Sequence, residues 1–119
     1  MASPSPLYDR IGRVVAFKSG DRIYGTYGEP AAYIKGEHIY SYDGPHLAWW
    51  NGDHVRERDG GVSLWIKGAV PGVLLPLARL PPVAPLPRLE PLKRLPALPP
   101  LRPLPRLGWS KFRLGRLDS

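Results

Sequence analysis

The sequence predicts an all-β fold: four 16-residue β-hairpin repeats closing into a shallow, pseudo-four-fold, up-and-down barrel, followed by an extended Leu/Pro tail of polyproline-II type. Three observations predict it. Residues 7–70 repeat one pattern four times without a gap, each unit carries two glycine turn signals, and from Leu74 to Leu107 every third residue is aliphatic.

Stacking the four units aligns Leu7, Ile23, Ile39 and Val55, then Tyr8, Tyr24, Tyr40 and Arg56, then Gly12, Gly28, Gly44 and Gly60. Further along come Ala16, Ala32, Ala48 and Leu64, then Phe17, Tyr33, Trp49 and Trp65, and last Gly20, Gly36, Gly52 and Gly68. A fixed period of this kind is the signature of repeat architecture. Asp43-Gly44, Asn51-Gly52 and Asp59-Gly60 read as two-residue hairpin turns, because both central positions of such turns need positive φ. The six residues left between turns make one strand of about 20 Å. Two-residue turns fix the register. They pair Tyr42 with Pro45, Tyr40 with Leu47, and Trp49 with both His38 and His54.

Carried round the repeats, this register gives one face a row of Phe17, Arg22, Tyr33, His38, Trp49, His54 and Trp65, an alternating aromatic/cation ladder. A second row on that face runs Tyr8, Val15, Tyr24, Ala31, Tyr40, Leu47, Arg56 and Ser63, and His46 falls alone on the other. The opposite face carries Leu7, Ala16, Ile23, Ala32, Ile39, Ala48, Val55 and Leu64. Alternation of large and small side chains suits a narrow barrel interior, so this row is expected inside. Ile23, Ile39 and Val55, with Ile34, Trp50 and Ile66 ringing one mouth, are the candidate lining of an apolar ligand cavity. Closure removes the exposed edges that eight short strands would otherwise leave.

The pattern Ile-Tyr-x-x-x-Gly-x-x-x-Ala-aromatic, four times over, with a Leu/Pro/basic tail and a late Gly108-Trp109-Ser110, resembles the four-fold beta-flower family of small bacterial proteins. The resemblance implies a shallow four-petalled barrel, a homo-oligomer, an apolar central cavity for a hydrophobic molecule, and no established reaction. The last repeat departs from the pattern, with Arg56 and Ala69 in place of a tyrosine and an acidic residue.

Four segments follow: an N-terminal stretch, 1–6, expected to be disordered; the hairpin domain, 7–70; the tail, 71–107; and an amphipathic end, 108–119, readable as a docking anchor or a frayed terminus. Prolines throughout the tail exclude an α-helix, and its period of three is that of polyproline II. A rod with one leucine edge has to bury that edge, and the expectation is that it lies across the strands with its leucines between the aromatic side chains, within one chain or bridging two. A disordered linker is the plainer alternative.

The 119 residues allow one small domain. With no cysteine, disulfides and thiolate metal sites are excluded. No stretch reads as a signal peptide or a membrane span, and the expected location is cytoplasmic. Residues 1–70 hold eight basic and eight acidic side chains, whereas residues 71–119 hold nine basic against Glu90 and Asp118, so the whole net charge of +7 belongs to the tail. An anionic partner is therefore an argument about the tail alone.

The chemistry available is sparse. Ser41 and Ser63 lack a nucleophile elbow or a His/Asp partner, the glycines sit at hairpin spacing instead of forming a phosphate loop, and His38 and His54 are separated by Trp49, which argues against a metal site. No enzyme, metal or cofactor is expected. The sequence best fits a non-enzymatic, homo-oligomeric scaffold holding a lipid-like or aromatic small molecule. The alternative is a basic-tailed adaptor for nucleic acid or an anionic surface, with the barrel serving assembly; its arginines are spread rather than clustered and the aromatics lie in the neutral domain. Glycan or peptide recognition by the hairpins and an SH3-type match at Lys93, Pro96 and Pro99 are weaker, the latter expected from proline content alone.

Overall fold

The computed structural model describes residues 3–118 and forms a closed barrel of eight antiparallel strands in chain order. The strands are β1 (Ser5–Tyr8), β2 (Val14–Ser19), β3 (Arg22–Gly25), β4 (Pro30–Lys35), β5 (His38–Tyr40), β6 (His46–Trp50), β7 (His54–Arg56) and β8 (Val62–Trp65). The pairing of Tyr8 with Trp65 closes β1 on β8. Of the N-terminal stretch expected to be disordered, residues 1 and 2 lie outside the described residues, and Ser5 and Pro6 already pair with Lys18 and Phe17. A two-stranded hairpin, β9 (Phe112–Arg113) and β10 (Arg116–Leu117), follows the tail.

The two kinds of turn differ, and the difference corrects the predicted register. At Gly44 the loop holds three residues: Gly44 N–H donates to the Ser41 carbonyl (3.0 Å) and Ser41 N–H to the Pro45 carbonyl (2.9 Å), with Gly44 at φ +116°. The same bonds recur at Gly12, Gly28 and Gly60. This is a tight turn completed by a left-handed glycine, and it puts one extra residue into the hairpin. Tyr40 consequently faces His46 instead of Leu47. On the other rim the turn is centred one residue further along than Asn51-Gly52, so that Trp50 pairs with Val55 and Trp49 with Arg56 instead of His54.

The row predicted to point inward does so. Leu7, Ile23, Ile39, Val55 and Leu64 are fully buried together with Ala16, Ala32 and Ala48. The bulges also turn Val15 and Leu47 towards this core, although the uncorrected register placed them outside.

On the outer wall the ladder breaks at every second turn. It becomes four triads, each centred on one residue of the aromatic column: Pro6–Phe17–Tyr24, Arg22–Tyr33–Tyr40, His38–Trp49–Arg56 and His54–Trp65–Tyr8. Three of the four central rings stack on the tyrosine of a neighbouring strand, with centroids 4.8 Å apart for Tyr8–Trp65 and 5.8 Å for Phe17–Tyr24 and Tyr33–Tyr40, while Trp49 lies between His38 and Arg56.

Although they face outward, Phe17, Tyr33, Trp49 and Trp65 are buried. The tail covers the wall as a belt. Four of its amides donate to the four left-handed glycines in order: Arg79 to Gly12 (2.9 Å), Arg88 to Gly28 (2.8 Å), Ala97 to Gly44 (2.9 Å) and Arg106 to Gly60 (2.9 Å). Nine belt residues thus span each 16-residue hairpin, and the belt has neither helix nor strand from residue 71 to 107. At the ~3.1 Å rise of polyproline II, four such arcs total about 110 Å. That is the perimeter of a disc with the observed in-plane extent of 36 Å.

The orientation of the belt is the reverse of the expected one. Its twelve stripe residues, from Leu74 to Leu107, are 87–97% exposed. On the other two edges of the rod Leu75, Pro76, Ala84, Pro85, Glu90, Pro96 and Pro103 are half-buried, and the remaining residues are exposed. The belt backbone is fixed by its hydrogen bonds to the hairpin turns, Lys93 Nζ stands 4.7 Å from the centre of the Tyr33 ring, and the leucines point away.

Candidate functional site

The fourth hairpin departs from the repeat where both ends of the belt and the C-terminal hairpin meet the barrel. At Arg56, where the other units have tyrosine, the buried guanidinium donates through Nη1 to the carbonyls of Gly60 and Arg106 (both 2.8 Å) and through Nη2 to that of Pro71 (2.6 Å). Its Nε donates to Nε2 of His54 (3.2 Å), which assigns the Nδ1–H of His54 to Asp53 (2.5 Å). Burial and the positive charge of Arg102 lower the Arg56 pKa from its ordinary value. Burial pushes the Asp53 carboxyl up, but bonds from His54 and from Val70 N–H outweigh it and leave the group below the usual carboxylate range. One arginine therefore ties the start of the belt, its end and the barrel together.

Next to it Glu57 is fully buried. Its Oε2 accepts from Ser63 Oγ (2.5 Å) and Leu114 N–H (2.9 Å), and Oε1 from Gly115 N–H (2.9 Å). Burial raises its pKa against the opposing pull of those three bonds. The carboxylate fixes the hairpin of β9 and β10 over the mouth on the three-residue-turn rim, with Leu114, in the left-handed conformation at φ +51°, packed on the barrel core. Residues 108–110 are bound alongside Val62 through Val62 N–H to Gly108 O (3.0 Å) and Ser110 N–H to Val62 O (2.8 Å). The C-terminal segment is therefore a plug.

Beside the plug lies a cavity of about 420 Å³. Val15, Ala31, Leu47 and Leu64 give it an apolar floor, Glu29 and Ser41 a polar flank, and Arg116 and Leu117 of the plug its lid. None of the six residues expected to line a cavity belongs to this one, and Ile34 lines a second, more open pocket with Tyr33, Lys93 and Pro96. Ile23, Ile34, Ile39 and Val55 are buried in the packed centre, while Trp50 and Ile66 are half-buried at the opposite mouth, where Lys18 Nζ lies 5.2 Å from the Trp50 ring. The sequence signal for the plugged mouth was a broken column: Glu57 stands where the other units have Asp9, Gly25 and Ser41, and Ser63 where they have Val15, Ala31 and Leu47.

Of the ladder residues, His38 meets His46, which the corrected register moves onto the outer wall. Their Nδ1 and Nε2 atoms are 3.1 Å apart, and the His46 ring stands 4.6 Å from Trp49 and perpendicular to Tyr40. Among the described residues no group of three or more metal-ligating side chains converges. Burial, reinforced by His38, lowers the His46 pKa from 6.5 to about 4. The unfolded chain thus takes up this proton first, so the pair's contribution is complete above pH 6.5 and declines as pH falls towards 4. Melting temperature is expected to drop across that window in the parent and to drop less in His46→Gln. Glu57, with its raised pKa, acts in the opposite sense in both proteins.

A family model described as 4-fold beta flower protein matches residues 5–117. The chain belongs to this family. No curated protein and no solved structure was found to match it. In this beta-flower protein the match takes in the belt and the plug as well as the four hairpins. Among the described residues no helix is long and apolar enough to cross a membrane.

Proposed function

We propose that this beta-flower protein is a non-enzymatic carrier of a hydrophobic small molecule, held at the plugged mouth. The observation that carries the reading is the 420 Å³ cavity with an apolar floor and a lid formed by a separate C-terminal hairpin. That volume falls in the range of small-ligand sites. The lid is attached through the Glu57 carboxylate, the packing of Leu114, the Arg113–Asp9 pair (3.9 Å) and Arg58 over the Phe112 ring, none of them part of the barrel ladder, so it can lift without opening that ladder.

The alternative, a basic-tailed adaptor, loses support because four of the nine basic side chains of residues 71–119 are engaged in ion pairs within the chain. Lys93 meets Glu90 (3.4 Å), Arg102 meets Glu37 (3.2 Å), Arg106 meets Asp59 (3.4 Å) and Arg113 meets Asp118 (3.3 Å).

Native mass spectrometry of the gently purified full chain, followed by titration with a fluorescent medium-chain fatty acid, tests the carrier. A constant added mass on the order of a few hundred daltons is expected, together with saturable binding that Ala31→Trp weakens at least about tenfold. Ala31 is exposed on the cavity wall, so the variant should fold like the parent. A bare chain with no saturable binding, or binding indifferent to Ala31→Trp, overturns the reading.

A further inference from the structure

Burying one leucine removes on the order of 100 Å² of apolar surface. The twelve outward residues of the belt therefore present about 1,200 Å². Single exposed leucines are ordinary, but an apolar surface larger than a few hundred Å² marks an interaction site. This one runs round the whole perimeter, divided into four arcs by the amides of Arg79, Arg88, Ala97 and Arg106. Each arc carries three aliphatic side chains.

The surroundings of the ring select its occupant. Immersion in hydrocarbon is excluded by both rims of the barrel: one carries Asp21, Lys35, Glu37, Asp53 and Lys67, the other Arg10, Asp43, Arg58 and Asp59. The stripe is instead complementary to itself. Leucines about 9.3 Å apart along an extended edge leave gaps that the leucines of an identical edge, turned about a two-fold axis, can fill. One arc offers about 300 Å² a side, well below the ~800 Å² per partner of a stable pair. A single contact is therefore weak, and four of them on one molecule reinforce one another.

We propose that the leucine ring is a self-association surface through which copies of this chain pack edge to edge, each holding up to four neighbours, in an open planar assembly rather than a closed oligomer. The belt also fixes how salt acts. Arg79, Arg88 and Arg94 have no carboxylate within 4 Å among the described residues, so facing edges repel until screened.

Sedimentation velocity of the full chain, from micromolar to submillimolar concentration at low and high salt, tests the proposal. The sedimentation coefficient is expected to climb with concentration without a plateau, and further at high salt. L77Q/L86Q/L95Q/L104Q, one change per arc at fully exposed positions, is expected to keep the parent melting temperature and to raise the concentration needed for association at least about tenfold. A parent that stays monomeric throughout, a plateau at a dimer, or growth unchanged in the variant overturns it. So does association seen only with phosphatidylserine-containing vesicles and weakened by salt, which would assign the ring to an anionic membrane surface.

Discussion

Replacing Arg56 with methionine is expected to destabilise the protein by about 3–5 kcal/mol, because several hydrogen bonds from a buried charged donor, worth about 1.5–3 kcal/mol each and not additive, are lost together. Methionine keeps much of the apolar stem but deletes every donor, leaving the carbonyls of Gly60, Arg106 and Pro71 without the guanidinium that now binds them. Arg56→Lys should recover only part of the loss, since a compact ammonium cannot reproduce the planar fork that meets three carbonyls at once. The checks are urea unfolding and limited trypsinolysis. Cleavage at Arg79, Arg88 and Arg94, each followed by leucine, should accelerate in Arg56→Met well before the barrel is lost. A loss of less than about 0.5 kcal/mol, within the range of ordinary surface changes, would show that the belt ends are held by something else.

The second large effect separates two kinds of glycine that look alike in sequence. Gly28 and Gly36 both have positive φ, +82° and +66°. A methyl group on Gly36 meets nothing within 4 Å, whereas on Gly28 it would stand 2.4 Å from the Leu86 carbonyl oxygen. Gly36→Ala should therefore cost about 1 kcal/mol, the price of a left-handed alanine. Gly28→Ala should cost about 2–4 kcal/mol, because the belt must also lift and give up the Arg88-to-Gly28 hydrogen bond. Thermal and urea melts of the two variants measure the difference directly. Equal losses would mean that the belt contributes little at its glycine contacts.

Much of the barrel was legible because its determinants are local and repeated. The glycine columns placed the turns, and the alternation of Ile23, Ile39 and Val55 with alanine identified the inner face. Register was harder to read, because a two-residue turn and a three-residue turn ending in a left-handed glycine both present Asp-Gly. That one-residue difference moved His46 to the outer wall and Val15 and Leu47 to the inside. The leucine stripe was visible, but its direction was not: the expectation that an apolar edge turns inward gave way to the bonding of the belt backbone to the hairpin turns. Arg56 was visible as an exception, while Glu57 passed unremarked and Ser63 was weighed only as a nucleophile, because their partners lie about fifty residues away in the chain or on the adjoining strand. The cavity at the plugged mouth was not legible for the same reason, since Arg113, Leu114, Arg116 and Leu117 of its lining come from the plug.

The pairing of a sixteen-residue hairpin with a nine-residue arc ties two distant parts of the gene to each other. Losing one hairpin without its arc, or gaining an arc without a hairpin, would leave every later belt amide opposite the wrong glycine and carry Arg106 away from Arg56. Changes in length are thereby permitted only in matched pairs, far apart in sequence and equal in angle around the axis. The number of petals is written twice in the chain, and each copy acts as a check on the other.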